Sequence, residues 1–381
     1  MINISFLLGA GFSEPAGYKL GKDINEKLFN GIGGNCYRTN LSTWGWIETD
    51  KNAPPKHTTS EYYEPYLIDA FINLYQKDTG SQFDYEEFYD WFLDIKSGEL
   101  ENNLNENLQK AFDFIGQFNE GFERVNAENP LDKYSKVNSC YNYLIADFLF
   151  RSQEEEDHSQ YEYLNKIIKK INKANFFTLN HDFLLENLFE NWDYDYSDGF
   201  SSKDNKFMFN GKPVSFFQNH FEKDLRVFKL HGSFDYYRKP LSDTQKENEA
   251  YKIEDNIIKS REHREILHSK PSINKQEFSL DLTKDNLVPE FLTGKRKFSS
   301  TSFNTPDCFD KLFNHYKKEI LNSEQLIIIG YSYNDNHINR VIKNAVDSKE
   351  EIEIINVNPC QNFRVYDKLH KLTTSWLKVL M

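Results

Sequence analysis

Five short apolar segments, each ending in small or polar residues, constrain the fold of this chain more than any other feature. They indicate buried strands at Ile4–Leu8, Asn175–Leu179, Arg226–Leu230, Leu326–Ile329 and Ile352–Val357. Apolar residues at helical spacing follow or separate these segments. Because strands that alternate with helices form parallel sheets with both faces covered, the pattern predicts an α/β fold. We expect a Rossmann-like parallel sheet covered by helices on both faces, with a large helical insertion.

Two long excursions interrupt the α/β pattern and set the predicted domain organisation. The first, residues 31–173, begins with a Gly-, Asn-, Thr- and Pro-rich stretch at 31–60 that is expected to be a loop or lid. Its later part carries amphipathic stretches that predict an inserted helical subdomain, at 67–74, 88–95, 108–115, 141–148 and 164–171. The second, residues 238–305, has mixed charges and is expected to be a surface insertion. Residues 1–30 and 174–381 would then form the Rossmann-like domain.

Composition excludes several classes of protein. The chain has 46 Lys and Arg against 59 Asp and Glu, a net charge of −13, which argues against a general binder of nucleic-acid phosphates. Its four cysteines form no C-x-x-C pair, so neither a disulfide framework nor a zinc ribbon is indicated, and a reducing cytoplasm fits. The longest aliphatic run, Leu326–Ile329, is far shorter than the ~20 residues that span a bilayer. We therefore expect a soluble cytoplasmic protein with no membrane partner.

The motif GAGFS (9–13) follows the first predicted strand and leads into a helix. Glycines at a strand-to-helix turn let backbone N–H groups approach a pyrophosphate at the positive end of the helix. The motif lacks the full G-x-G-x-x-G fingerprint, so a tight connection without a ligand stays open as an alternative. Taken with the rest of the chain, it indicates a nucleotide site.

Three more polar motifs end predicted strands: TLNHD (178–182), KLHGS (229–233) and GYSYND (330–335). Ligands of open parallel sheets bind outside the carboxyl ends of the strands, so these motifs are expected to converge on one crevice.

Each polar motif also has a purely structural interpretation. Asn180 or Asp182 can cap the helix that begins there, and Asp335 can cap another. His231 can be a hydrogen-bonded interior histidine. The coincidence of several such motifs at strand ends favours a functional site.

The motifs GAGFS, TLNHD, KLHGS and GYSYNDNHIN, in that order, resemble those of sirtuin-like NAD-binding proteins, especially the bacterial branch of phage-defence effectors. The resemblance spans Ile4 to Pro359 and leaves both excursions unmatched. It implies NAD as the substrate and no metal. It also implies that Asn180 positions the nicotinamide riboside or the attacking water, that Asp182 contacts the carboxamide, and that His231 is the catalytic histidine.

The same resemblance implies a set of residues that bind the rest of NAD. The phosphates would be held by the turn residues Gly9, Ala10, Gly11 and Ser13. Gly330 and Ser332 would line the adenosine side, and Asn356 would bond its ribose.

The chain departs from the protein-deacylating sirtuins in ways that bear on activity. Those proteins carry two C-x-x-C pairs that bind structural zinc, and His181 here replaces the usual apolar residue between the Asn and the Asp. Without that zinc module, water is the favoured acceptor. We expect an NAD⁺ glycohydrolase that releases nicotinamide and ADP-ribose and depletes NAD in anti-phage defence. The alternatives are an NAD-dependent deacylase or ADP-ribosyltransferase, and a non-catalytic NAD- or ADP-ribose-binding regulatory subunit.

Such an enzyme must stay inactive until it is triggered. The sequence shows no appended domain that would bind a nucleotide signal. Control is therefore expected from the insertions, from assembly or from another polypeptide. The resemblance implies a homo-oligomer or a subunit that pairs with a HerA-type ATPase.

Overall fold

The computed structural model describes the parts of the chain that build the fold. It covers residues 3–33, 35–38, 44–47, 62–94, 109–110, 130–151, 153–171, 173–200, 208–209, 212–213, 215–238, 257–260, 289–291, 307–348 and 352–357. The strands in these ranges are β1 (Ile4–Leu8), β2 (Cys36–Arg38), β3 (Trp44–Trp46), β4 (Ala174–Thr178), β5 (Tyr196–Ser197), β6 (Gly199–Phe200), β7 (Met208–Phe209), β8 (Lys212–Pro213), β9 (Ser215–His220), β10 (Leu225–Lys229), β11 (Gly232–Arg238), β12 (Ile257–Lys259), β13 (Pro289–Phe291), β14 (Gln325–Ile329) and β15 (Glu353–Val357). The α-helices are α1 (Ala10–Ser13), α2 (Gly21–Phe29), α3 (Glu64–Thr79), α4 (Tyr85–Asp94), α5 (Pro130–Leu149), α6 (Glu162–Ile168), α7 (Leu184–Asn191), α8 (Asp307–Asn322) and α9 (Asn336–Ser348). Within the described ranges, no helix combines the length and the apolar character needed to cross a bilayer.

Six strands form a parallel sheet in the order β15-β14-β1-β4-β10-β5. Its five longer strands are those that the apolar segments predict, with ends that differ by one residue at most. The predicted α/β, Rossmann-like fold is therefore confirmed. The edge strand β5 has two residues and carries no recognisable pattern.

Helices cover both faces of this sheet. On one face, α8 and α9 pack against Leu7, Phe177 and Ile328. On the other face, α6 and α7 pack against Phe6 and Phe176. Side chains alternate along a strand, so adjacent residues such as Phe6 and Leu7 enter different cores. Burial on both sides explains why these strands are continuous apolar runs in the sequence.

A second, antiparallel sheet has the order β13-β11-β12-β9-β6. The chain enters it directly from the parallel sheet, because β11 begins at Gly232 and β10 ends at Lys229. Strands β12 and β13 lie within the range 238–305 that the sequence assigns to a surface insertion, and Ile257 and Ile258 are fully buried. The described part of that range is therefore not a purely solvated segment.

Three helices of the first excursion share one apolar core with neighbouring elements, whereas its last helix, α6, packs on the parallel sheet. Helices α3, α4 and α5 occur where amphipathic stretches predict them, whereas most of the predicted helical stretch near 108–115 lies outside the described residues. Their core also contains Ile24 of α2 and Phe234 of β11. Strands β2 and β3, inside the predicted 31–60 loop, bury Trp44 and Trp46 in the same core. This part of the excursion thus packs on α2 and the second sheet, and the status of residues 31–173 as a separate subdomain stays a prediction.

A row of polar side chains crosses the parallel sheet beneath the end of α8. Ser5, Asn175 and Arg226 are register neighbours on β1, β4 and β10. Glu319 of α8 accepts hydrogen bonds from Arg226 Nη2 at 3.1 Å and from Asn175 Nδ2 at 3.4 Å. The Oγ atoms of Ser5 and Ser323 lie 2.6 Å apart. The row therefore ties α8 to three neighbouring strands.

Substitution of Glu319 by alanine is expected to lower the free energy of unfolding by about 2–3 kcal/mol, because the largely enclosed guanidinium of Arg226 would lose its carboxylate partner. Urea unfolding followed by circular dichroism measures the change. The matched control is Asp195→Ala, which removes one partner of the exposed Lys223–Asp195 pair, 2.6 Å apart, and should cost less than about 1 kcal/mol. Equal losses in the two variants would contradict a structural role for the buried row.

Candidate functional site

The four polar motifs follow the carboxyl ends of four adjacent strands, β14, β1, β4 and β10. The last residues of these strands stand in one row of the register: Ile329, Leu8, Thr178 and Lys229. The residues that come next therefore meet at one edge of the sheet, where ligands of open α/β folds bind. This edge is the candidate site.

The Gly-rich turn after β1 is hydrogen-bonded to the turn after β14. Gly9 donates its N–H to the carbonyl oxygen of Ile329, and Gly11 donates to that of Gly330, each at 2.9 Å. These two amides therefore hold the turns together in this structure. Ala10, between them, is exposed. The assignment of these residues to the phosphates of NAD stays a prediction.

Close backbone contact explains why glycine is needed here. A Cβ on Gly330 would lie 2.2 Å from the backbone nitrogen of Phe12, and one on Gly9 would lie 2.6 Å from Cα of Tyr331. Gly330 also has a φ of +64°, in the left-handed region. The glycines at these positions let two loops of adjacent strands touch.

Asn180, directly after β4, is 8% exposed and firmly held. Its Nδ2 donates to the carbonyl oxygen of Gly9 and to Oγ of Ser13, each at 2.9 Å. With both amide hydrogens engaged, Oδ1 is the atom suited to accept a hydrogen bond from a ligand. Ser13, which the sequence assigns to phosphate binding, is buried, and its Oγ accepts the hydrogen bond from Asn180; its phosphate role stays a prediction.

Asp182 lies beside a buried ion pair. Its carbonyl oxygen accepts a hydrogen bond from Lys229 Nζ, which is 3.3 Å from Oε1 of Glu186. Burial raises the pKa of Asp182 to about 6, although the Lys229 charge, the Ser13 hydroxyl and the Leu184 N–H oppose the rise. The carboxyl of Asp182 therefore changes its charge close to neutral pH.

The raised pKa of Asp182 predicts a pH-dependent term in stability. An unfolded aspartate titrates near 3.9, so between about pH 4 and pH 6 the folded chain binds this proton more tightly and stability rises as the pH falls. Relative to Asp182→Asn, the wild type should gain about 1–2 kcal/mol between about pH 7.5 and pH 4.5. Urea unfolding of both proteins at the two pH values measures the gain. A difference that does not change with pH would show that the carboxyl titrates normally.

His231 lies in the short connection between β10 and β11, where the chain passes from one sheet to the other, and it is 3% exposed. Its Nε2 is 3.4 Å from Nε2 of His337, a buried residue at the start of α9. One potential ligand atom from each of His231, Asp335 and His337 lies within 4.8 Å of the other two. The ring of His181 is 6.4 Å from that of His231, between centroids. A proton or a metal ion can be held in this group.

The turn that carries Asp335 and His337 is braced by its own side chains. The Tyr331 hydroxyl accepts the Asp335 N–H at 3.2 Å and bonds Oδ1 of Asn339 at 2.9 Å. Asn339 Nδ2 in turn donates to the carbonyl oxygen of Tyr333, whose φ is +62°. Sequence reasoning missed His337, although it lies within the motif GYSYNDNHIN (330–339).

The remaining predicted site residues lie on β15 and in the turn after β14. Ser332 is exposed, while Gly330 packs on the turn after β1. Asn356 is partly exposed, and its buried Oδ1 has no hydrogen-bond partner among the described residues. An acceptor of this kind suits a ligand hydroxyl, but the predicted contact of Asn356 with a ribose stays a prediction.

Comparison with known families gives a match to part of the chain. Residues 174–357 match the family model of a SIR2-like domain. The matched range includes Asn180, Asp182 and His231 but begins after β1 and its Gly-rich turn. No curated protein matches the chain. The family match supports a sirtuin-like protein and a function that involves NAD.

Proposed function

We propose that this chain, with its SIR2-like domain at residues 174–357, is an NAD⁺ glycohydrolase that cleaves NAD⁺ to nicotinamide and ADP-ribose. The observation that carries the proposal is the placement of Asn180 and His231 after the adjacent strands β4 and β10. The family match supports an NAD-utilising enzyme. Water is our choice of acceptor because the sequence has no C-x-x-C pairs of the kind that build the zinc module of deacylating sirtuins.

The residue types suit hydrolysis of the bond between C1′ of the ribose and the nicotinamide nitrogen. That bond breaks through an oxocarbenium-like state, and its electron pair neutralises the pyridinium, so the leaving group needs no acid. Oδ1 of Asn180 would orient a water molecule towards C1′. As the new C1′–O bond forms, the imidazole of His231 would accept the proton of that water. A histidine suits this step because its unperturbed pKa is near 6.5.

Other residues at the same edge would bind the remainder of NAD⁺. Asp182 would contact the carboxamide, the exposed turn at Ala10 would face the phosphates, and Asn356 would accept a hydrogen bond from the adenosine ribose. The buried Oδ1 of Asn356, which lacks a hydrogen-bond partner among the described residues, supports this last contact.

The proposal extends to biological role and assembly. The four motifs resemble those of bacterial anti-phage effectors, so the reaction would deplete NAD in an infected cell. Assembly into a homo-oligomer, or pairing with a HerA-type ATPase, would control when the enzyme becomes active.

The test is nicotinamide release from NAD⁺ by the purified full chain, at several protein concentrations, with and without a HerA-type ATPase. Release with ADP-ribose as the co-product would support the hydrolase, and a specific activity that rises with concentration would support activation by assembly. No release while NAD⁺ still binds in calorimetry would overturn the hydrolase and favour a regulatory subunit. Release only with an acylated peptide or another acceptor would favour the transferase class.

A further inference from the structure

The two buried imidazoles at the candidate site are spaced like ligands of one metal ion. Their Nε2 atoms lie 3.4 Å apart, which is long for an N–H···N hydrogen bond. Two nitrogens bound tetrahedrally to Zn²⁺ at roughly 2.0–2.1 Å stand about 3.3–3.4 Å apart. The observed spacing therefore fits a shared ion better than a direct hydrogen bond.

Asp335 supplies a third ligand of suitable type. Its carboxylate belongs to the group whose potential ligand atoms all lie within 4.8 Å of one another. Because the atoms lie within 4.8 Å of one another, a tetrahedral edge of about 3.3 Å requires the carboxylate to move by at most roughly 1.5 Å, which a change of side-chain rotamer provides. Tyr331 and Asn339 brace the backbone, so this movement falls on the side chain alone.

The charges of the group also favour a cation. If each facing Nε2 carries a lone pair, the two repel one another unless a positive charge lies between them, and the carboxylate compensates that charge. Two imidazoles and one carboxylate with an open fourth position form a donor set that zinc accepts. Mg²⁺ prefers oxygen ligands and is disfavoured in such a site.

We propose that His231, Asp335 and His337 bind Zn²⁺, and that the ion inhibits the enzyme. The inhibition rests on the proposed function: zinc would occupy Nε2 of His231 and so remove the base. A divalent cation at this position would also repel the positive charge that develops on the ribose during cleavage. Release of the metal would then be a step of activation.

Binding is tested on the tag-free full chain after removal of metal by a chelator. Titration with Co²⁺ should give the visible absorption of a tetrahedral site at one equivalent, and Zn²⁺ should displace it while Mg²⁺ should not. Affinity for Zn²⁺, measured against a chromophoric chelator, should fall by about 10- to 100-fold or more in His337→Ala and in Asp335→Asn. Circular dichroism of the metal-free variants shows whether each one is folded. One folded variant is enough to test the site.

The matched control is His220→Ala, because His220 is an exposed histidine whose Nδ1 is 3.2 Å from a carboxylate oxygen of Glu222. This variant should bind Zn²⁺ as the wild type does. A wild type without tetrahedral cobalt absorption, or an equal loss of affinity in the control, would overturn the site.

An activity measurement tests the inhibitory role of the metal separately from its binding. Zn²⁺ should lower nicotinamide release in proportion to the occupied fraction of the site, and a chelator should restore it. Binding without inhibition would overturn the inhibitory role, and binding with faster release would instead assign zinc to activation of water. Binding by a chain that never releases nicotinamide would overturn the proposed function and leave the metal site standing.

Discussion

Replacement of Asn180 or of His231 by alanine is expected to reduce nicotinamide release by roughly 10²- to 10⁴-fold, the usual contribution of a positioned base or of the group that orients its water. Truncation of Asn180 also removes the two hydrogen bonds from its Nδ2 to Gly9 O and to Ser13 Oγ, at a cost of about 1–3 kcal/mol. That cost is smaller than the stability of a typical domain, so both variants should fold. Turnover at saturating NAD⁺, together with a thermal melt of each protein, measures the two effects separately.

His315→Ala is the control for the histidine substitution. His315 lies on α8, where its Nε2 is 3.0 Å from Oδ1 of Asn219, so the control removes a partly buried imidazole outside the candidate site. Its turnover should stay near that of the wild type. If Asn180→Ala or His231→Ala unfolds, or keeps full turnover, the catalytic role given to that residue is wrong.

Gly330→Ala should lower the free energy of unfolding by about 2–5 kcal/mol. A left-handed conformation costs a residue with a side chain about 1–2 kcal/mol, and forced overpacking adds about 1–3 kcal/mol. The new methyl group would lie 2.2 Å from the backbone nitrogen of Phe12, which cannot rotate away as a side chain can. The loops that carry the two halves of the candidate site would be forced apart. Urea unfolding gives the loss in stability.

Gly80→Ala separates the two causes of that loss. Gly80 has a φ of +63°, nearly the same as Gly330, but no described heavy atom lies within 4 Å of the position that its Cβ would take. Only the conformational cost of about 1–2 kcal/mol should appear there. Equal losses at the two positions would mean that the turn after β1 moves aside freely.

Burial decided which strands the sequence could reveal. The five long strands of the parallel sheet are apolar throughout because helices cover both faces, and each is predicted within one residue at its ends. In the second sheet, β6, β12 and β13 have only two or three residues each, and the last two lie within a stretch of mixed charge, so local pattern gave no signal for them. Likewise, the spacing of Ile24 and Leu28 predicts a helix but cannot tell that it packs with the inserted helices rather than on the sheet.

In the candidate site, too, some features follow from local sequence and others depend on tertiary packing. The rule that loops at the carboxyl ends of parallel strands converge was enough to place Asn180 and His231 at one edge. The position of His337 beside His231 depends on how α9 packs, which a single sequence does not encode locally. The contact between Ser13 and Asn180 is also tertiary, so the motif alone could not show that the Ser13 hydroxyl accepts a hydrogen bond from the Asn180 amide.

The central place of β1 has a consequence for synthesis of the protein. β1 pairs with β4 on one side and with β14 on the other, yet both partners leave the ribosome long after it. After β4 has been made, β1 must still keep one edge unpaired until β14 has been translated, and such distant pairing is slow and exposed to aggregation. A fragment cut to the family-matched range 174–357 would start after β1 and hold two half-sheets with a gap between them.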